Sequence, residues 1–286
     1  MAADYYELYF RKAIFMNYPI IDAHCHVYPD KIAAKAVEGI GKFYDLSMYY
    51  DGRYSTLIDF GGKIGVKHYV IFSVATTPHQ VHSINTFIAD TVRESGGLMT
   101  GLGALHPDSE TVEEDIEEII SLGLKGVKMH PDFQKFCIDD KKCYKIYEMC
   151  QKHNLPVLLH TGDSRYDYSN PQRMKKVLDD FPELIVIGAH FGGWSCWKEA
   201  VETLSGYKNF YVDCSSSFDW LTPEESREIT RAYGADHVLF ATDFPMWNHK
   251  TEYERFMQMN LTDEENRLIL SENAVRLFGI DKNNIL

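Results

Sequence analysis

Eight short apolar runs punctuate this chain, and segments with helical spacing separate them. The runs are "PIIDAHCHV", "KHYVIFSVA", "GLMTGLGALHP", "LKGVKMHP", "PVLLHTG", "LIVIGAHFGG", "NFYVDCS" and "HVLFATDFP". Between them, "PDSETVEEDIEEIISLG" carries early acids and closes on Gly123, as a helix should. "DDKKCYKIYEMCQKHN" and "NPQRMKKVLDDFP" are amphipathic. "LTPEESREITRAYG" offers Thr222 as N-cap, Pro223 at the first helical position and Glu225 three residues after the cap. Strands that alternate with helices pair in parallel. Eight of them can close into a (β/α)₈ barrel, and such barrels run to roughly 250 residues as one domain. The chain has 286 residues, 45 % of them apolar, so one barrel domain over residues 1–286 is expected. The longest connection, residues 28–66, holds the helical "KIAAKAVEGIGKFY" and the tyrosine-rich "SMYYDGRYS". Its length marks it as a cover for the barrel mouth. Residues 262–280 read as two short helices that close over the barrel exterior.

The net charge of −13 argues against nucleic acid and anionic membranes as partners. The six cysteines include no C-x-x-C pair and are too sparse for a disulfide scaffold, so free thiols are expected. The first residues, "MAADYYELYFRKAIFMNYP", contain no apolar signal core, and no later run is long enough to span a bilayer. These features describe a cytoplasmic protein that acts on a small molecule. A homodimer is compatible with them.

The polar residues track the strand ends. In "IIDAHCHVYPD", Asp22, His24 and His26 alternate, which in a regular strand puts all three on one face, with Asp22 one layer below the histidines. His106 ends the third run, His130 the fourth, His160 the fifth, His190 the sixth and Asp243 the eighth. In a barrel those ends gather at one mouth, where active sites of this fold lie. His106 and His130 each precede proline and also fit strand-stopping turns. Lys128, two residues before His130, points inward, either as a carbamylated bridge between two metals or as a core lysine paired with a carboxylate. Imidazoles with one carboxylate suit Zn²⁺, and Mn²⁺ or Fe²⁺ accept the same donors. His24, His26, His160 and Asp243 would leave room for a water, whose pKa such an ion lowers toward ~7.

"DAHCH", "LLHTGD", "GAHFGG", "FATDFP" and the terminal "SENAVRLFG" resemble the amidohydrolase superfamily. More narrowly they resemble the amidohydrolase-related branch that includes aminocarboxymuconate-semialdehyde decarboxylase and related aromatic acid decarboxylases. The resemblance spans about residues 20–280. It implies a distorted (β/α)₈ TIM barrel of the metal-dependent hydrolase type. It implies a divalent metal on His24, His26, His160 and Asp243, and His190 as the acid or base beside its water. Two reactions share that site. One is hydrolysis of an amide, ester or lactone, with Asp243 and His190 moving the proton. The other is non-oxidative decarboxylation of a small aromatic or unsaturated acid. Either substrate would carry a carboxylate. Arg165 and Arg53 are the loop cations that could read it, and His130 is a further candidate contact.

Overall fold

The computed structural model describes residues 18–285, so the reading of the N-terminal segment falls largely outside the described residues. The strands are β1 (Ile20–His26), β2 (Val66–Phe72), β3 (Met99–Gly101), β4 (Gly103–Ala104), β5 (Val127–Met129), β6 (Val157–Leu159), β7 (Val186–Gly188), β8 (Phe210–Asp213) and β9 (Val238–Leu239). They form two parallel ladders, β1-β2-β3 and β4 through β9 in sequence order. The third apolar run thus divides in two at Leu102. The Leu102 N–H donates to the Ile71 carbonyl at 2.9 Å, and the Gly103 N–H to the Gly126 carbonyl at 2.9 Å. One strand therefore passes its pairing from β2 to β5. Glycine is required on both sides of this break. A Cβ on Gly101 would lie 2.7 Å from Ile88 and Leu124, and one on Gly103 would lie 2.5 Å from Ile119. The barrel closes where Ala23 N–H donates to Phe240 O at 3.0 Å and His26 N–H donates to Phe244 O at 2.7 Å. The result is a parallel (β/α)₈ barrel.

Alternate strand residues fill the barrel. Val70, Phe72, Leu102, Leu158, Ile187 and Leu239 share an inner cluster, while Tyr69, Ile71, Val127, Val157, Val186 and Val212 pack outward beneath the helices. Strand β1 departs from this alternation. Its register against β2 shifts between Asp22 and Cys25, so Ala23 and His24 both meet interior partners. Asp22 therefore does not share the face of His24 and His26, as a regular strand would require. It turns outward, where it accepts from the Thr242 N–H at 3.0 Å and the Thr242 hydroxyl at 2.6 Å. A β-bulge of this kind re-aims side chains beside a site.

The helical segments fall where expected. The helix Val112–Ser121 starts with Glu113, Glu114 and Asp115, and Gly123 follows it at φ +76°. The helix Pro223–Tyr233 carries the full Thr222–Glu225 capping box. The connection after β1 supplies the helices Asp30–Tyr44 and Tyr54–Gly62. It covers the mouth: Ile40, Tyr44 and Met48 line the cavity there, and the Tyr50 N–H donates to the Pro245 carbonyl at 3.0 Å. The C-terminal segment differs from expectation. A π-helical turn, Leu268–Glu272, joins the helices Asp263–Arg267 and Asn273–Phe278. Ala274, Phe278, Ile280 and Ile285 then join the inner cluster instead of lying wholly on the exterior. Apolar side chains there stop one end of the barrel, leaving the polar strand ends at the other. The cysteines within the described residues are free. No helix among the described residues is long and apolar enough to cross a membrane.

Candidate metal centre

One cavity at the C-terminal strand ends is lined by His24, His26, Lys128, His130, His160, His190 and Asp243, under Ile40, Tyr44, Met48 and Phe133. Within it His24, His26 and Asp243 converge. His24 Nε2 lies 3.2 Å from His26 Nε2 and 3.3 Å from Asp243 Oδ1, and His26 Nε2 lies 3.5 Å from the same oxygen. Donors held 2.0–2.1 Å from a tetrahedral Zn²⁺ stand about 3.3–3.4 Å apart, so the three atoms fit one ion. The residues therefore suit one divalent ion.

Backbone and carboxylates hold this geometry. The bulge in β1 brings His24 inward. His24 Nδ1 then meets Asp213 Oδ2 at 2.8 Å, which turns Nε2 toward His26 and Asp243. Asp213 also accepts from the His190 N–H and the Ser215 N–H, each at 3.1 Å. Asp243 sits at φ +56° and His190 at φ +59°, an uncommon backbone region for residues other than glycine. The Ser216 hydroxyl donates to Asp243 Oδ2 at 2.5 Å. Outward of the site, Asp22 grips Thr242, the residue before Asp243.

Electrostatics keep the imidazoles neutral. Burial pushes His24, His26, His130 and His160 well below the ordinary histidine value, and the neighbouring Lys128 ammonium adds to the shift. Burial lowers His190 to about 4 and raises Asp243. Neutral imidazoles are the form that binds metal.

His160 lies across the cavity and outside the group of three. Its Nδ1 is 3.0 Å from His190 Nε2, and its Nε2 is 3.2 Å from Asp132 Oδ2. His190 Nδ1 is 2.9 Å from the Ser215 hydroxyl and 3.1 Å from its carbonyl. His130 stacks on His160 with ring centroids 4.1 Å apart, and its Nε2 meets the Tyr44 hydroxyl at 2.9 Å. His106 is buried and takes the Asp108 N–H at 3.1 Å, as a turn residue does.

The three candidate cations fare differently. Lys128 enters the cavity with Nζ 3.4 Å from His24 Nε2 and 5.0 Å from the Phe72 ring centroid. No carboxylate among the described residues lies within salt-bridge distance of it, so the expected ion pair is absent. Burial lowers Lys128 to about 8. Arg165 already has partners. Its Nη2 meets Asp163 Oδ2 at 2.7 Å, its Nε meets Asp163 Oδ1 at 2.9 Å, and its Nη1 donates to the Phe43 carbonyl at 3.0 Å. Arg53 is a surface residue, 3.5 Å from Asp30 and 3.8 Å from Asp51.

Sequence reading missed Asp213, Asp132 and Tyr44. Asp213 had a signal, since it ends the seventh run, "FYVD", as Asp243 does the eighth. Asp132 follows the His130-Pro131 pair in the short helix Pro131–Gln134, and Tyr44 comes from the covering helix, so neither follows from strand periodicity.

The family profile described as "Amidohydrolase" matches residues 21–280. Among solved structures the chain is similar to an uncharacterized TIM-barrel protein of Bordetella bronchiseptica, with 21% identity, 91% of this chain and 98% of that chain covered, and TM-score 0.76. It is similar to a dihydroxybenzoic acid decarboxylase of Polaromonas sp. JS666 with bound manganese and an inhibitor, with 17% identity, 94% and 99% covered, and TM-score 0.69. It is also similar to a putative 2-pyrone-4,6-dicarboxylic acid hydrolase of Pseudomonas putida, with 19% identity, 93% and 99% covered, and TM-score 0.65. No curated protein matches the sequence. At these identities the structural likeness establishes the TIM-barrel fold, and the profile match establishes kinship. The chain belongs to the amidohydrolase family of metal-dependent enzymes.

Proposed function

We propose that the protein hydrolyses an amide, ester or lactone bond in a small, carboxylate-bearing molecule. The observation that carries this reading is the His24, His26 and Asp243 group with His190 in the same cavity. A divalent ion held by these three with His160 (zinc in our reading, with manganese or iron(II) able to substitute) would activate a water and polarise a carbonyl. The protein's own groups handle the protons. His190 is held by Ser215 through Nδ1 and is neutral near pH 7, so its Nε2, which faces His160 Nδ1 at 3.0 Å, is the nitrogen that would accept a proton. Asp243, raised by burial, can relay it to the leaving group. The unpaired Lys128 supports a substrate with a negative group, since a buried ammonium gains most from an anionic partner. His130, braced by Tyr44, borders the space where that substrate would lie. In our reading the protein is cytoplasmic and its partner is this small molecule.

A second reading, non-oxidative decarboxylation of an aromatic acid, is favoured by one observation. The recess beside His160, His190 and Asp243 is walled by Tyr44, Trp194 and Trp220, which suits a flat ring. In that reaction His190 would deliver the proton that replaces CO₂. Parallel assays decide: ester, lactone and amide panels for hydrolysis, and aromatic carboxylic acids for CO₂ release. Hydrolysis of any panel member, lost in His24→Ala, supports the first reading. CO₂ release with no hydrolysis supports the second.

A further inference from the structure

Two buried histidines of the cavity each have a carboxylate behind them. His24 gives Nδ1 to Asp213 at 2.8 Å and turns Nε2 to the group of three. His160 places Nε2 3.2 Å from Asp132 Oδ2 and turns Nδ1 toward His190. We propose that Asp132 is a positioning residue that holds His160 with its Nδ1 lone pair directed into the metal centre. The inference rests on the reading of His160 as a metal ligand.

Asp132 is 4 % exposed and His160 2 %. Both Asp132 oxygens and His160 Nε2 are sealed from solvent, and none forms an aligned hydrogen bond in the structure. Buried polar atoms are seldom left so. Each is the other's nearest complementary partner, since the Arg165 guanidinium is spent on Asp163 and the Phe43 carbonyl. A neutral imidazole carries one ring hydrogen. Placed on Nε2, that hydrogen lies on the Asp132 side of the ring, with Oδ2 3.2 Å away but out of line with it, and leaves Nδ1 with a lone pair. A cation on Nδ1 makes Nε2–H a stronger donor, so loading the centre tightens the contact with Asp132. Carboxylates that hold metal-bound histidines in this way fix both ring orientation and tautomer.

The competing account is a second ion held by His130, Asp132 and His160, whose donor atoms lie within 4.8 Å of one another. The ring geometry opposes it. His130 and His160 stack at 4.1 Å with 7° between their planes. Their lone pairs lie in parallel planes, so no single ion sits along both.

The test uses zinc binding to the whole protein, with Asp132→Leu and Asp132→Asn as variants. Metal analysis gives stoichiometry, chelator competition gives affinity, and thermal unfolding of the metal-free forms reports the fold. We expect one zinc per wild-type chain. Asp132→Leu should bind it roughly 10- to 100-fold more weakly, with no loss of metal-free melting temperature. Asp132→Asn keeps an acceptor oxygen and should fall between. If the leucine variant does not fold, the asparagine variant alone must show weakened zinc binding. Unchanged affinity in the folded variants overturns the proposal. So does a wild type with two zincs that drops to one in Asp132→Leu, because Asp132 would then be a ligand. A wild type that binds no zinc and no manganese overturns the metal reading as well, and is thereby distinct from the other two failures.

Discussion

His24 Nδ1 and Asp213 Oδ2 stand 2.8 Å apart, both fully buried, and this pair decides which nitrogen of His24 faces His26 and Asp243. The carboxylate selects the tautomer with hydrogen on Nδ1, leaving the Nε2 lone pair for the ion.

Asp213→Asn should therefore weaken metal binding by roughly 10- to 100-fold without changing the metal-free fold. Chelator competition measures this. Equal affinity in variant and wild type would remove Asp213 from the account of the centre.

His190 should matter for turnover more than for metal retention. Its nitrogens are directed at Ser215 and His160, and it lies outside the group of three. His190→Asn is expected to keep its metal and lose about 10²–10⁴ in rate, the usual worth of a general acid–base group. Metal loss as complete as in His160→Ala would instead make His190 a ligand.

Arg165→Ala is expected to lower kcat/KM for an acidic substrate and for its neutral ester or amide analogue by the same factor. The guanidinium is already committed to Asp163 and to the Phe43 carbonyl, next to Tyr44. Its effect then passes through the covering helix and not through substrate charge. A selective loss with the acid would mean that substrate displaces Asp163 and that Arg165 reads the carboxylate.

Stability of the metal-free protein should peak near pH 6.5. Burial lowers His68 and His190 to about 4 and holds His24, His26, His130 and His160 well below normal. The unfolded chain binds those protons first, so stability falls as pH drops from about 6.5 toward 4, by up to about 1.4 kcal/mol per pH unit for each group. Burial raises Asp132 to about 7 and Glu252 to about 8. Their contribution is present at low pH and is lost as pH rises through those values. Below 6.5 the six histidines outweigh Asp132, Glu252 and the likewise raised Asp243; from 6.5 to 8 the raised carboxyl groups dominate, and Lys128, lowered to about 8, opposes them only near the upper end. Urea unfolding at pH 5, 6.5 and 8 checks this, and a rise from 6.5 to 8 would contradict it.

Asp22→Ala should cost about 1–3 kcal/mol, because the Thr242 N–H is left buried without an acceptor. Through Thr242 it should also loosen Asp243 and weaken metal binding. A destabilised variant with wild-type metal affinity would make Asp22 a strut of the barrel seam alone.

Strand count, helix caps and the placement of histidines at strand ends follow from local chemistry, and all were legible in the chain. Near-continuous apolar runs must bury both faces, and that favours a parallel sheet covered by helices. "LTPEE" carries its own capping signal, so the Thr222 cap needed no tertiary information. Three matters belonged to the tertiary structure. The bulge in β1, which turns Asp22 out and His24 in, arises from pairing with β2 across 40 or more residues of sequence. The break at Leu102 lies between Gly101 and Gly103, where side chains from other elements leave no room for a Cβ. The partners of Arg165, Asp132 and Asp213 lie on other elements or turn on side-chain direction. A sequence shows which groups carry charge. Only packing shows which are already neutralised and which remain for a metal or a substrate.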